Sequence, residues 1–344
     1  MNSGFVGNVV LYRRPLHCTP QTGHRPAAKV ATKVPNPGDE NERAESLARC
    51  EIEIDATSKR HRFQFSLMRL LVVVTLLGIG LGVPLAYWRN KSPHRRAEEA
   101  IWLLGGKVDY HENGEGRSVS ASLYGTKATD ACMPHLAGLT NLDAVVLSDS
   151  HVTDAGLVHL ANLNRLKYLD FSGTRVTDAG LVNLAGLTRL ETLLLDTTGV
   201  TDSGLVHLSG LTNLETLYLR DTRVTDAGLV HLARLKHLRL LSLCSTKVTD
   251  AGLPQITALT ELETLEIDDT RVTNAGLVHL ANLTKLENLR VSDTQITDAG
   301  VVHIVRLKGL KYLYLKNHIK NSRLTDAGIA EIQKALPDCQ IVPP

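Results

Sequence analysis

Apolar residues recur along most of the chain in a unit of 24 residues, which is clearest between residues 187 and 211. Leu193 and Leu195 are separated by one residue, and this alternation predicts a short strand with one buried face. Leu205 and Leu208 lie three residues apart, so both occupy one side of a short helix. Each unit is therefore predicted to contain a strand, a turn, a helix and a second turn.

The sequence Thr-Asp-Ala-Gly-Leu, or a close variant, marks the start of each predicted helix. Oxygen atoms of the Thr and Asp side chains can accept hydrogen bonds from N–H groups of the first turn, so the pair predicts a helix N-cap. A fixed period of this size indicates stacked supersecondary units rather than one closed core. The signature begins at Thr129, Thr153, Thr177, Thr201, Thr225, Thr249, Thr273 and Thr297, and a ninth copy follows at Thr325 after four extra residues.

The pattern resembles the leucine-rich repeat, whose frame is matched here by Leu190, Leu193, Leu195 and Val200. Thr198 stands where that frame has Asn or Cys, and its hydroxyl can still bond loop backbone inside the stack. The signature is similar to the cysteine-containing subclass known from F-box substrate receptors. The resemblance implies an α/β solenoid over residues 119–344, a right-handed arc with a parallel sheet on its concave face and short helices on its convex face.

Both ends of the repeat array carry segments that can cover its terminal apolar faces. Residues 91–118 are predicted to form a juxtamembrane segment and an N-terminal cap, with an amphipathic helix at residues 95–104 before Gly105 and Gly106. At the other end a helix is predicted from Ala327 to Leu336, where Pro337 stops it. Residues 339–342 are predicted to form a closing strand.

The longest apolar run extends from Leu70 to Trp88 without a charged residue. About 20 apolar residues span a bilayer core, so residues 63–90 are predicted to be a single transmembrane anchor. This segment resembles the anchor of bacterial membrane-tethered proteins with large ectodomains. Residues 1–62 are polar and lack apolar periodicity, which predicts a disordered tail. Basic residues flank both sides of the run, and additional ones in the tail favour a cytoplasmic tail and an extracytoplasmic solenoid.

A start at Met68 instead of Met1 would turn the same run into a signal peptide and the solenoid into a secreted protein. Residues 105–344 contain 23 basic and 27 acidic residues, a net charge of −4. No basic stripe is present in the sequence, so nucleic acid is not an expected partner.

The sequence predicts no catalytic residue, metal ligand or cofactor. Its Asp column at the helix starts contains Asn274 at one position, and Asn caps a helix as well as Asp but is a weaker ligand for a hard cation. A second column of histidines is expected to form a solvated face on the convex side: His135, His159, His207, His231, His279 and His303. The five cysteines are scattered and show no metal-binding spacing.

The expected function is non-catalytic protein or peptide binding on the concave face. Tyr and Arg are enriched at binding hot spots. The predicted partner-binding residues are Tyr168, Tyr218, Arg220, Glu266, Arg290, Tyr312 and Tyr314. Two alternatives stay open: a cytoplasmic F-box-like substrate receptor, and a structural envelope protein without a specific ligand. No F-box-like helical domain precedes the repeats in the sequence, and a predicted membrane span does.

Overall fold

A computed structural model describes residues 5–6, 9–10, 92–113, 116–139, 141–316 and 324–342. The strands β1 (Phe5–Val6) and β2 (Val9–Val10) pair antiparallel, so these four residues differ from the disordered tail that the sequence predicts for residues 1–62. Within the described residues, no helix combines the length and the apolar character needed to cross a membrane. The predicted span at residues 70–88 and the rest of the predicted tail and anchor lie outside the described residues.

The N-terminal cap begins with helix α1 (Pro93–Leu103), two residues earlier than the sequence predicts. Ser92 caps it, because its Oγ accepts a hydrogen bond from the backbone N–H of Arg95 at 3.3 Å. Ala97 and Ile101 are buried against the first repeats. After α1 the chain forms an antiparallel hairpin, β3 (Lys107–Asn113) and β4 (Gly116–Ser122), which the sequence analysis does not predict.

The sheet contains eleven strands of the described chain, and their order follows the sequence from β3 to β13. Apart from the first hairpin, all neighbours run parallel, as the resemblance to the leucine-rich repeat implies. The remaining strands are β5 (Leu142–Val146), β6 (Tyr168–Asp170), β7 (Thr192–Leu194), β8 (Thr216–Tyr218), β9 (Leu240–Ser242), β10 (Thr264–Glu266), β11 (Asn288–Arg290), β12 (Tyr312–Tyr314) and β13 (Gln340–Val342).

Short helices return the chain from one strand to the next. Most have four residues and continue into a 3₁₀ turn, so their stability comes from stacking rather than from helix length. They are α2 (Met133–Ala137), α3 (Asp154–Leu157), α4 (Asp178–Leu181), α5 (Asp202–Leu205), α6 (Asp226–Leu229), α7 (Leu253–Ile256), α8 (Asn274–Leu277), α9 (Val301–Ile304) and the longer α10 (Asp326–Ala335).

One continuous apolar core lies between the sheet and the helices. Leu193, Leu217 and Leu241 stand in register on adjacent strands, and all three are fully buried. Thr198, at the Asn/Cys position of the frame, is also buried and donates its hydroxyl to the carbonyl of Leu195 at 2.6 Å. The side chain therefore satisfies a backbone acceptor of its own repeat, which explains how Thr replaces Asn or Cys here.

The Thr-Asp-Ala-Gly-Leu signature joins neighbouring repeats. Thr225 is the N-cap of α6, since its Oγ1 accepts from the backbone N–H of Ala227 at 3.3 Å. The Asp is not a cap. Asp202 is the first helical residue of its own repeat, and its two oxygens accept from the N–H and the hydroxyl of Thr225 in the next repeat, at 2.7 and 2.6 Å. The expectation that the Asp column caps the helices is therefore wrong: the Thr of the signature is the cap, and the Asp bonds to the next repeat.

A second recurrent feature is a left-handed backbone position after each strand. Asp149, Asp221, Asp269 and Asp293 have φ angles between 53° and 56°, and Thr197 and Ser245 share this position with φ of 55°. Asp tolerates this conformation better than most residues, because its short polar side chain can bond locally. The turn geometry therefore accounts for the recurrence of Asp there.

The C-terminal cap agrees with the sequence prediction to within one residue at each end. Helix α10 is capped by Thr325, whose Oγ1 accepts from the N–H of Gly328 at 3.3 Å. Ile332 is fully buried, and β13 adds a final parallel strand beside β12. These two elements cover the last repeat, as terminal caps in solenoids must.

Candidate functional site

The candidate site is the side of the sheet opposite the leucine core, which we call the open face. Successive side chains of a strand point to opposite sides, so Leu217 enters the core while Thr216 and Tyr218 lie on the open face. Parallel register aligns such positions in columns. One column contains Tyr168, Thr192, Thr216, Leu240, Thr264, Asn288 and Tyr312, and the next contains Asp170, Leu194, Tyr218, Ser242, Glu266, Arg290 and Tyr314.

All seven predicted partner-binding residues lie on the open face or immediately after its strands, but they differ in exposure. Tyr312 is 41% exposed, whereas Tyr168 is only 7% exposed. The other five are half-buried: Tyr218, Arg220, Glu266, Arg290 and Tyr314.

The part of the open face formed by β5 to β8 contains an apolar cluster. Ala144, Tyr168 and Leu194 form a buried cluster separate from the main core, and Val146 and Tyr218 pack against it. Tyr168 is thus mostly covered by its neighbours, while the half-buried Tyr218 offers part of its surface to a partner.

The part formed by β10 and β11 contains an ionic cluster around Asp268, whose side chain is fully buried. Its Oδ2 accepts from Arg290 Nε at 2.8 Å, and its Oδ1 accepts from the N–H of Ser292 at 2.7 Å. The second carboxylate, on Glu266, lies 4.0 Å from Arg290 Nε. Burial alone would lower the pKa of Arg290, but the charge and hydrogen bond of Asp268 outweigh it and raise the pKa above its usual value.

Two further side chains complete the ionic cluster. The guanidinium carbon of Arg290 lies 4.8 Å from the ring centroid of Tyr314, a cation–π geometry. Cys244 is fully buried, with its Sγ 3.8 Å from Asp268 Oδ2. Cys244 and Asp268 are not among the partner-binding residues that the sequence predicts for this face. The parallel register could have predicted their contact, because residues that are 24 positions apart lie side by side on adjacent repeats.

Charged residues that immediately precede the strands form ion pairs between neighbouring repeats, at the end of the sheet where the strands begin. Lys167 pairs with Glu191 at 3.3 Å, and Lys311 pairs with Glu287 at 2.7 Å. Arg239 donates Nη2 to both carboxylate oxygens of Glu263, at 2.7 and 2.9 Å. Exposed pairs of this kind contribute only about 0–1 kcal/mol each, so they add little to the stability of the stack.

A polar cluster borders the first strands of the open face. His111 Nε2 lies 3.2 Å from Ser120 Oγ, and Ser120 is in register with Ala144. Burial raises the pKa of the nearby Asp143, although a hydrogen bond from Ser118 and the charge of His111 oppose that effect. One oxygen of Asp143, Oδ1, is buried without a hydrogen-bond partner.

A cleft of about 500 Å³ lies in the N-terminal cap, between α1 and the β3–β4 hairpin. His94 stacks on Tyr110 there, with 5.8 Å between ring centroids, and approaches Glu98 at 3.9 Å. The cleft is lined by Ser92, His94, Arg95, Glu98, Tyr110, Val119 and Asn141.

The histidine column lies on the helical side, where His135 and His159 are exposed and the other four are half-buried. Within the ranges that the structure describes, no three or more His, Cys, Asp or Glu side chains are grouped so that they could hold a metal ion.

Comparison with known proteins gives one family. A family model described as a leucine-rich repeat region matches residues 117–327. Among solved structures, internalin C2 from Listeria monocytogenes is 27% identical, with a TM-score of 0.49, over 65% of this chain and 92% of that chain. An internalin (inlF) from the same organism is 20% identical, with a TM-score of 0.39, over 64% and 79% of the two chains.

A third similar structure is the plant peptide hormone receptor RGFR1 in complex with RGF2. It is 16% identical, with a TM-score of 0.41, over 68% of this chain and 40% of that chain. The search of curated proteins gave no match.

Proposed function

This chain belongs to the leucine-rich repeat family, and on that premise we propose that it is a membrane-anchored, non-catalytic scaffold that binds a protein or peptide outside the cytoplasm. Binding takes place on the open face, which is the concave face of the solenoid. The Thr-Asp-x-Gly-Leu signature supports placement in the 24-residue subclass. The domain boundaries are a tail at 1–62, an anchor at 63–90, a juxtamembrane segment with cap at 91–118, and repeats at 119–344.

The contrast between two adjacent positions of each strand carries this proposal. The central core position is occupied by leucine in seven consecutive repeats: Leu169, Leu193, Leu217, Leu241, Leu265, Leu289 and Leu313. The residue just before each of these leucines lies on the open face and is Tyr, Thr, Leu or Asn, depending on the repeat. A uniform buried frame with a varied surface is the arrangement expected of a scaffold that recognises a partner by side-chain chemistry.

The chemistry of the open face favours a protein or peptide. Tyr218 and Tyr312 are large and stiff, so they bury much area for little lost conformational freedom. In the ionic cluster, Arg290 is already held by Glu266 and Asp268. These side chains therefore lose little conformational freedom when a partner binds. Tyr and Arg are among the residues enriched at the centres of protein interfaces.

Site-specific photo-crosslinking in intact cells tests the proposal. A benzoylphenylalanine replaces Tyr218 or Tyr312 on the open face, and a matched probe replaces Val206, which is 43% exposed on the helical side. Discrete crosslinked protein or peptide species at positions 218 and 312, and none at 206, are expected. Crosslinks only at 206, or none at either open-face position, would contradict the proposal.

A further inference from the structure

Large apolar side chains are exposed at one end of the N-terminal cap. Trp102 is 51% exposed and Leu104 is 41% exposed at the end of α1, and Tyr124 is 64% exposed after β4. We call these three residues the cap patch. The surface of a soluble protein tolerates single exposed apolar residues. Three such residues in two adjoining segments indicate a surface that another molecule covers.

The two segments of the cap patch touch each other. A Cβ atom on Gly106 would lie 2.5 Å from Leu123 Cδ2, so the chain after α1 passes directly against the residue before Tyr124. The N–H of Gly125 bonds to the carbonyl of Ser148, which places Tyr124 beside Ser148 in the next repeat. Tyr124 therefore occupies the position that holds Ser148 and Ser172 in the following repeats and Arg220, on the open face, further along the stack.

The length of chain before the cap limits what can cover this patch. Only residues 89–92 separate Trp88, the end of the predicted span, from Pro93 at the start of α1. Four residues reach at most about 14 Å. Trp102 lies nine residues along α1, about 14 Å from its start. If α1 stood upright on the membrane, Trp102 would be about 14 to 28 Å from the bilayer interface, depending on how far the linker extends, whereas a helix lying along the surface keeps Trp102 at the interface.

The residue types of the patch fit that interface. Trp and Tyr are enriched where lipid headgroups meet the hydrocarbon core, since their rings are partly apolar and partly polar. Arg95 and Arg96 on α1, and Lys127 three residues after Tyr124, are exposed and suit anionic headgroups. Glu98 and Glu99 on α1 offset much of this positive charge. Insertion of the aromatic and apolar side chains is therefore the main contribution to the proposed membrane binding.

We propose that the cap patch inserts into the interfacial region of a lipid bilayer and thereby holds α1 along the membrane surface. This inference rests on the proposed membrane anchor. It gives the cap a second role besides covering the first repeat, because it sets the direction in which the solenoid leaves the membrane. The occupant is lipid, and a protein partner at the same patch is an outcome that the experiment below distinguishes.

The chain contains two tryptophans, Trp88 and Trp102, which makes the test direct. The full-length Trp88→Phe protein, reconstituted in phosphatidylcholine–phosphatidylglycerol vesicles, emits only from Trp102. Lipids brominated near the headgroup end of the acyl chains are expected to quench this emission by at least about twofold, as for an interfacial residue. The full-length Trp102→Phe protein emits only from Trp88 and reports the anchor independently.

Each combination of results decides one question. Quenching of Trp88 without quenching of Trp102 overturns cap docking and leaves the anchor intact. Quenching of Trp102 alone supports cap docking and contradicts the anchor, while quenching of neither overturns both. Emission of Trp102 that is protected from aqueous iodide but insensitive to brominated lipid means that protein covers the patch, which also overturns the proposal.

Two added substitutions in the Trp88→Phe background show whether the patch acts as a unit. Leu104→Ser and Tyr124→Ser are each expected to reduce the quenching of Trp102 by lipid. Val206→Ser, at an exposed valine on the helical side, serves as the matched control and should change nothing. Thermal unfolding followed by circular dichroism checks that all variants are folded, and undiminished quenching in both folded patch variants would contradict insertion of the patch.

Discussion

Asp226 holds Thr249 of the next repeat with both of its carboxylate oxygens. Oδ1 accepts from the backbone N–H of Thr249 at 2.7 Å, and Oδ2 accepts from its hydroxyl at 2.6 Å. The same Thr249 hydroxyl accepts from the N–H of Ala251 at 3.2 Å, within the turn that precedes α7. One side chain thus connects the start of α6 to the turn before the next helix, and repetition of this unit forms a hydrogen-bonded ladder through the stack.

The ladder predicts different effects for two substitutions of Asp226. Asp226→Ala removes both acceptors and leaves the Thr249 N–H without its partner, so it should lower the free energy of unfolding by about 1–3 kcal/mol. Asp226→Asn should cost under about 1 kcal/mol, because Asn274 already bonds Thr297 through Oδ1 at 2.9 Å and Nδ2 at 2.7 Å. Urea unfolding measures both, and equal losses would contradict the ladder.

The glycine of the signature is required by the same ladder. A Cβ on Gly228 would lie 2.5 Å from Asp202 Oδ1 and 3.0 Å from Leu205 Cδ1, both in the preceding repeat. Gly228→Ala should therefore destabilise the protein by more than about 2 kcal/mol, by separating two repeats or breaking the Asp202 bonds. Gly210→Ala is the control, since its nearest neighbour would be 3.8 Å away, and it should be neutral within about 1 kcal/mol.

The sequence predicts the fold well because the leucine frame and the helix signature describe packing that repeats unchanged. The order of elements and the C-terminal cap follow from the residue pattern, and the parallel sheet follows from the resemblance to the leucine-rich repeat. The role of Asp226 does not, because an Asp next to a helix start satisfies the capping pattern equally well. Only the position of the next repeat shows that its acceptors face Thr249 rather than the first turn of its own helix.

Thr197 occupies the left-handed position with φ of 55°, although it is β-branched. That conformation costs most L-residues about 1–2 kcal/mol, and it is less costly for Asn. Since the side chain of Thr197 is exposed, Thr197→Asn should raise the free energy of unfolding by about 0.5–1.5 kcal/mol. Val206→Asn, at an exposed helical position with ordinary φ, should give no such gain, and a comparable increase there would point to a different cause.

The open face is less predictable than the fold, and the reason is physical. Strand alternation correctly places Tyr218 and Arg290 on that face, but it does not show how neighbours 24 residues away cover a side chain. Tyr168 is enclosed by Ala144 and Leu194, and Asp268 is buried beneath Arg290. Exposure on a stacked sheet depends on the adjacent side chains, which periodicity alone does not describe.

Partner binding should depend on the open face and not on the helical side. Replacing Tyr218 and Arg220 together with Ser should weaken a partner found by crosslinking by more than about 2 kcal/mol, because half-buried Tyr and Arg are typical hot spots. Binding to full-length protein in vesicles, measured by fluorescence anisotropy of the labelled partner, checks this. The matched double change His207→Gln with His231→Gln should leave affinity unchanged, and the reverse result would mean that the helical side binds.

The side of the membrane on which the repeats lie can be determined with one introduced cysteine. Cys132, Cys244 and Cys339 are buried, and burial raises the pKa of the Cys132 thiol to about 11, so none should react with a thiol reagent in the folded protein. Ser203 is exposed on α5, and Ser203→Cys should be labelled in intact cells by a membrane-impermeant maleimide if the solenoid is extracytoplasmic. The unmodified protein should stay unlabelled if its tail, which contains Cys18 and Cys50, is cytoplasmic. Equal labelling of the unmodified protein and of the Ser203→Cys variant would instead place the tail outside and reverse the proposed orientation.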